Sequence, residues 1–72
     1  MKSSDVIQLT VNGEPRQFDR EITVSQLLES MSLVDKRVAL ERNGEIVPRS
    51  LFGQQRLTNG DQLEIVVAVG GG

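Results

Sequence analysis

The sequence predicts an α+β roll, in which a single helix crosses a sheet built from two hairpins. Three observations predict it. Two Asn-Gly dipeptides, at Asn12 and Asn43, each separate two short apolar segments, which is the typical pattern of a tight hairpin. Between these hairpins, residues 24–31 carry one apolar stripe with helical spacing. Finally, the last segment is apolar almost throughout, as strands inside a sheet are.

The first hairpin is predicted over residues 6–11 and 16–19. Alternation places three apolar side chains on one face of its first strand: Ile7, Leu9 and Val11. Asn12 and Gly13 tolerate the positive φ that a tight turn requires. The returning strand is short, and we expect it to bury Phe18.

The helix is predicted to begin after Thr23, which is a good N-cap residue. Gln26 follows three residues later and can complete a capping box, while Ile22 can pack on Leu27 as a hydrophobic staple. Apolar residues then recur over two to three turns at Val24, Leu27, Leu28 and Met31. Because a helix this short is not stable alone, we expect it to pack on the sheet, with Leu28 in the core.

The second hairpin pairs residues 38–42 with residues 45–47, and Pro48 ends it. Residues 50–53 are too few for a helix and are expected to form one tight turn. From this turn, one of two apolar side chains should close an end of the core: Leu51 or Phe52.

A short edge strand at Leu57 and a third turn over residues 59–61 lead into the last strand, residues 63–69. One face of that strand carries Leu63, Ile65, Val67 and Val69. Val66 and Ala68 lie on the other face, where a half-buried strand would carry polar residues. We expect this strand to run parallel to the first, with Val66 and Ala68 open to partners; the alternative is that they pack under a loop near Phe52.

The composition excludes several classes of function. The chain of 72 residues has no cysteine, histidine, tyrosine or tryptophan, so it has no thiol nucleophile, no imidazole base and few aromatic platforms for nucleobases. Its net charge is −2 and its eight basic residues are scattered, which argues against nucleic-acid binding. No signal peptide or membrane span is evident, which predicts a cytoplasmic protein. We infer that the chemistry is done on this chain by other enzymes.

The sequence ends Val69-Gly70-Gly71-Gly72. We expect a single domain over residues 1–69 and a flexible tail over residues 70–72. Glycine has no Cβ and can enter a channel too narrow for other residues, and three extended residues reach about 10 Å. This suits a protein whose reactive atom is its own last carbon; an inert, frayed end is the alternative.

In element order and glycine terminus, the chain resembles the β-grasp ubiquitin-like fold. Within that fold it resembles the ThiS family of thiamine-biosynthesis sulfur carriers. The resemblance covers residues 6–72 and is carried by four stretches: residues 9–13, the helix start at residues 23–28, residues 38–49, and residues 59–72. Phe52 stands where relatives often have tryptophan and should fill the same space.

The resemblance implies a mechanism centred on Gly72. A ubiquitin-activating-enzyme-like adenylyltransferase would use ATP and magnesium to convert the Gly72 carboxylate to an acyl-adenylate, with Gly71 in the same channel. A sulfur donor derived from a cysteine desulfurase would then leave a thiocarboxylate, whose sulfur goes to thiazole synthase. The chain itself would be a carrier rather than an enzyme and would bind no cofactor. Partner contacts are expected at Val66, Ala68, Val69, Gly70 and Arg49.

Three alternatives remain at this point. A sulfur carrier of the molybdopterin-synthase type shares the fold and the Gly-Gly end, although residues 41–49 fit the thiamine branch better. A ubiquitin-like modifier would join the same carboxylate to lysines, and a binding module would have an inert tail. Arg42, Arg49 and Arg56 could form a basic patch, or could be scattered over a solvated surface.

Overall fold

A computed structural model of the chain describes residues 6–68. The predicted tail, residues 70–72, and Val69 lie outside the described residues. In chain order the elements are β1 (Ile7–Val11), β2 (Glu14–Phe18), β3 (Ile22–Thr23), α1 (Val24–Ser30), β4 (Val38–Arg42), β5 (Glu45–Ile46), a 3₁₀ turn (Arg49–Leu51), β6 (Arg56–Leu57) and β7 (Gln62–Val67).

The main sheet has five strands in the order β2-β1-β7-β4-β5. The last strand lies between the first and the fourth, parallel to β1 and antiparallel to β4. This confirms the predicted mixed sheet with one main helix. Leu57 does lie in a short strand, but β6 pairs with β3 in a separate two-stranded sheet, with Leu57 opposite Ile22.

Both hairpins turn at Asn-Gly dipeptides, as predicted. Asn12 and Asn43 each have φ of 52°, and the glycines that follow them also have positive φ. β2 begins earlier than expected and includes Pro15, which an edge strand tolerates because one side of its backbone needs no partner. The edge position also explains why Phe18, opposite Ile7, is only partly buried.

The start of α1 confirms the capping box. The Gln26 backbone N–H donates to Thr23 Oγ1 at 3.2 Å, and the Thr23 N–H donates to Gln26 Oε1 at 2.9 Å. The helix ends after two turns because Ser32 takes a left-handed conformation, φ 60°, and the Leu33 N–H donates to the Leu28 carbonyl in a Schellman motif. Among the described residues, no helix has the length and apolarity that a membrane span requires.

The core lies between α1 and one face of the main sheet. Leu28 belongs to it, as predicted, and Phe52 rather than Leu51 closes its end. The Phe52 carbonyl accepts the Ser25 N–H at 3.0 Å, which fixes the 3₁₀ turn against the start of the helix. Six side chains are fully buried: Leu9, Val24, Leu27, Leu40, Leu57 and Leu63.

Candidate docking site at the end of the last strand

Four residues of the predicted site, Val69, Gly70, Gly71 and Gly72, lie outside the described residues. The described chain ends at Ala68, four positions before Gly72. The site that the structure describes is therefore the end of β7 and the surface around it, which set where a segment following Ala68 begins.

β4 holds one edge of β7 to its last residue. Val67 lies opposite Val38, and Val66 lies opposite Ala39. The Ala68 N–H donates to the Arg37 carbonyl at 2.9 Å, which extends the ladder one residue beyond the strand. The backbone is thus hydrogen-bonded to its neighbour up to Ala68, the last described residue.

Asn12 holds the other edge after β1 has ended. Its backbone N–H donates to the Leu63 carbonyl at 2.9 Å. Its side-chain amide then bonds both backbone groups of Ile65: Oδ1 accepts the N–H at 2.8 Å, and Nδ2 donates to the carbonyl at 3.2 Å. The turn asparagine therefore replaces one further residue of a neighbouring strand.

Asn43, in the second hairpin turn, makes the matching contact at the start of β7. Its N–H donates to the Gln62 carbonyl at 2.7 Å, and its Oδ1 accepts the Gln62 N–H at 2.9 Å. The turns at Asn12 and Asn43 thus hold β7 from opposite sides, Asn43 at its first residue and Asn12 up to Ile65. The Asn-Gly pattern predicts only the turn geometry of these asparagines and does not indicate their side-chain hydrogen bonds to β7.

The buried carboxylate of Asp61, directly before β7, holds the start of β7 against the second hairpin turn. It accepts from Arg42 Nε at 2.8 Å, from the Thr58 N–H at 2.8 Å and from Asn43 Nδ2 at 3.1 Å. Burial alone would raise the pKa of Asp61, but these hydrogen bonds and the Arg42 charge outweigh it and hold the pKa below its usual range. Arg42 is therefore part of a structural ion pair, which argues against the alternative of a basic patch with Arg49 and Arg56.

The face of β7 that α1 does not cover is apolar near the tail. Val66 is 64% exposed and its neighbour Ala39 is also exposed, as is Ala68. The prediction that Val66 and Ala68 lie on the open face is confirmed, and the alternative that they pack under a loop near Phe52 is wrong. Phe52 instead belongs to the core on the other side of the sheet.

Acidic residues border this apolar area on the same face. Glu64 lies opposite Glu41, and Glu41 lies opposite Ile46, which is 62% exposed. Like charges directly opposite each other on a sheet repel and slightly destabilise it. Ala39, Glu41, Glu64 and Ile46 were not predicted as site residues, because their proximity depends on the register of three strands.

Arg49, the remaining predicted contact, is exposed in the 3₁₀ turn. Its carbonyl accepts the Phe52 N–H at 3.1 Å, and the Phe52 carbonyl in turn bonds the start of α1. In the described part of the chain, no hydrogen bond or ion pair joins Arg49 to β7. A partner role for Arg49 stays a prediction.

A broad surface groove lies away from this site, near the start of β1. Arg20, Arg56 and Asn59 are among its lining residues. β1 runs from this groove towards Asn12, so the groove and the end of β7 lie at opposite ends of the sheet. The groove therefore contributes nothing to the site described here.

Comparison with known proteins agrees with this architecture. A sequence model described as "ThiS family" matches residues 9–72. The chain belongs to the ThiS family. The resemblance found in the sequence, to the sulfur carriers of thiamine biosynthesis, is thereby confirmed.

Two curated members of the ThiS family show the relationship along nearly their whole length. The sulfur carrier protein ThiS of Bacillus subtilis is 37% identical over 65 residues, covering 89% of this chain and 98% of that protein. The sulfur carrier protein ThiS of Escherichia coli is 32% identical over 66 residues, covering 92% of this chain and 100% of that protein.

A third relative is larger. This chain is 46% identical to a thiazole synthase of Paramagnetospirillum magneticum over 66 residues, which cover 92% of this chain. The chain spans only about a fifth (20%) of the length of that relative. A ThiS-like segment is thus part of the same polypeptide as a thiazole synthase in that organism.

The fold of a solved ThiS family member matches as well. The crystal structure of the thiamine biosynthesis protein ThiS from Geobacter metallireducens superposes with a TM-score of 0.77 at 33% identity. The match covers 92% of this chain and all (100%) of that one, which confirms the predicted β-grasp fold.

Proposed function

We propose that this chain carries sulfur as a thiocarboxylate on Gly72 and delivers it to thiazole synthase for thiamine biosynthesis. The observation that carries the proposal is the ThiS family match, which extends to residue 72. The fixed end of β7 supports it, because a strand held on both edges up to Ala68 gives the following residues a defined starting point.

The proposed sequence of steps begins with activation. The Gly72 carboxylate, ionised at neutral pH, attacks the α-phosphate of ATP on an adenylyltransferase of the ubiquitin-activating type, which also binds magnesium. Pyrophosphate leaves in that step. The persulfide of a cysteine desulfurase, or of a donor derived from it, then attacks the acyl carbon and displaces AMP, and a thiol reductant cleaves the resulting S–S bond to leave the thiocarboxylate. The chain is the substrate of these enzymes in the cytoplasm and contributes no catalytic side chain of its own.

We propose that the exposed surface of Val66, Ala68 and Ala39 holds the activating enzyme. The four residues after Ala68 keep Gly72 within about 13 Å of this surface, so an enzyme that binds Gly72 has its own surface close by. The carboxylates of Glu41 and Glu64 at its border favour a partner surface that combines apolar and basic residues. Because Arg49 lies on the 3₁₀ turn instead, its proposed contact would be with a different part of the partner.

The thiazole-synthase relative favours the thiamine branch over the two alternatives that share the activation chemistry. A carrier of the molybdopterin-synthase type or a ubiquitin-like modifier would use the same terminal carboxylate. In P. magneticum, however, a related segment lies within a thiazole synthase. We therefore assign thiazole synthase as the acceptor enzyme.

The test is reconstitution followed by intact-mass spectrometry. The chain is incubated with its adenylyltransferase, ATP, magnesium, a cysteine desulfurase, cysteine and a thiol reductant, and a parallel sample omits ATP. We expect the mass change of one oxygen-to-sulfur exchange, located on Gly72 by fragmentation and lost on incubation with thiazole synthase and its substrates. An unchanged mass in the complete mixture, or a sulfur retained in the presence of thiazole synthase, would contradict the proposal.

A further inference from the structure

The two edges of β7 are paired to different lengths. On the β4 side, pairing continues to Val67 and, through the Arg37 carbonyl, to Ala68. On the β1 side, strand pairing ends at Leu63, opposite Val11, and only Asn12 extends it to Ile65. One edge of the strand is therefore open near its end.

The hydrogen-bond register identifies the open groups. Gln62 and Ala68 bond towards β4, so the even-numbered residues of β7 direct their backbone groups to that side. Because these directions alternate along a strand, the odd-numbered residues point towards β1. Leu63 and Ile65 do so and bond Asn12. Val67 is next in this series, and within residues 6–68 neither its N–H nor its carbonyl has a hydrogen-bond partner.

Asn12 sets where this open edge begins. Its side-chain amide occupies both backbone groups of Ile65 and so prevents any other chain from pairing there. The side chain of Val67 faces the helix side of the sheet yet is 36% exposed, because the sheet ends beside it. The geometry leaves one extended residue, with one donor and one acceptor, immediately before the tail.

We propose that an extended backbone segment of the activating enzyme adds to this edge, accepting the Val67 N–H and donating to the Val67 carbonyl. The inference rests on the proposed function, because it takes the enzyme that binds Gly72 as the occupant. At about 3.3 Å per residue, the four residues after Ala68 keep Gly72 within about 13 Å of it. That enzyme's own chain therefore lies close to Val67 whenever Gly72 is in its active site.

Strand addition also suits the chemistry of the tail. Main-chain hydrogen bonds supply affinity without requiring side chains, and residues 70–72 have none. Pairing at Val67 would fix the direction of the tail at its first residues. The block at Ile65 by Asn12 would set the register of the added strand, because pairing can begin only at Val67.

The inference can be tested by replacing single amide bonds with esters. A chain of 72 residues without cysteine is accessible by chemical synthesis, and an ester at Val67 removes its N–H while keeping the side chain. We expect its melting temperature to fall less than that of an ester at Ile65. Both esters weaken the preceding carbonyl as an acceptor towards β4, but within residues 6–68 the Val67 N–H has no partner to lose. We expect the Kd of the Val67 ester for the adenylyltransferase to rise about five- to tenfold, the effect of one lost hydrogen bond.

An ester at Ile65 is the matched control. It removes an N–H that Asn12 accepts within the domain, so it should lower the melting temperature and leave the Kd of the folded protein unchanged. Amide hydrogen exchange gives a second measurement: the Val67 N–H should become protected in the complex. An unchanged Kd for the Val67 ester, or an unprotected Val67 N–H in the complex, would overturn the inference even if pyrophosphate exchange is normal. A failure of the unmodified protein to support pyrophosphate exchange would instead overturn the proposed function and the inference with it.

Discussion

Replacing Val66 with aspartate tests whether the open face beside the tail holds the activating enzyme. Val66 is 64% exposed, so Val66→Asp leaves no cavity. The loss of a β-branched residue from a central strand, together with a new charge near Glu64, should cost about 1 kcal/mol of folding free energy. For a domain of this size that lowers the melting temperature by about 4–8 °C, and the protein stays folded at 25 °C.

The expected loss of binding is larger than the loss of stability. Burying the exposed part of Val66 against a partner contributes about 1–2 kcal/mol, and aspartate loses this and adds an unpaired carboxylate at an apolar contact. A combined effect of about 3 kcal/mol corresponds to a Kd for the adenylyltransferase that is about 100-fold higher. Ala68→Asp should act in the same direction with less effect on stability, because Ala68 follows the strand.

Val6→Asp is the matched control. Val6 is also an exposed valine, at 39%, but it precedes β1, at the opposite end of the sheet from the end of β7. Isothermal titration with the adenylyltransferase, after circular dichroism has shown that all three variants are folded, measures the difference. Equal affinity of folded Val66→Asp and Val6→Asp would refute the reasoning, and an unfolded Val66→Asp protein would show that the residue is packed.

Four further predictions concern other parts of the chain. Deleting Gly72, or adding one residue after it, should abolish pyrophosphate exchange with the adenylyltransferase at an unchanged melting temperature; normal exchange would contradict a reactive Gly72. Gly71→Val should slow adenylation and leave folding unchanged, and an unaltered rate would argue against a narrow channel. Leu28→Ala should cost about 2–5 kcal/mol in denaturant unfolding, because Leu28 is buried in the core, and a cost below about 0.5 kcal/mol would be inconsistent with that packing. Because the pKa of Asp61 is lowered in the folded state, its contribution to stability is present above its usual value of 3.8 and is lost as the pH falls through the lowered pKa; Asp61→Asn should flatten that part of the stability–pH curve, and an unchanged slope would assign it to other groups.

Much of the fold could be predicted from the sequence because its signals are local. The Asn-Gly turns, the Thr23–Gln26 capping box and the stripe through Leu28 each depend on residues a few positions apart, and the structure confirms all three. The open face of β7 was also predictable. The strand carries apolar residues on both of its faces, and a single helix can cover only one of them. The end of α1 was less defined in the sequence, since Ser32 rather than glycine takes the left-handed conformation there.

The contacts that define the site are not local, and the sequence pattern did not reveal them. Asn12 bonds Ile65 across 53 positions, and Arg42 bonds Asp61 across 19. Asparagine before glycine already has a sufficient explanation in its tolerance of positive φ, so nothing in the sequence indicated a second role. In the same way, the position of Ile46 beside the acidic pair follows from the register of β5 on β4, which becomes visible only when the strands are paired.

A carrier whose last three residues have no side chains must obtain its precision from what precedes them. In this chain that is β7, held by β4 to Ala68 on one edge and by Asn12 to Ile65 on the other. Two consequences follow for delivery of Gly72. Under the proposed function, changes that loosen the pairing with β4 should impair adenylation without altering the tail. Within residues 6–68, the asymmetry of the two edges leaves Val67 open only on the β1 side, which is the side proposed for the partner. Under the proposed strand addition, the hairpin turn at Asn12 would serve the reaction as well as the fold, because it would determine where the domain's own pairing stops and the partner's can begin.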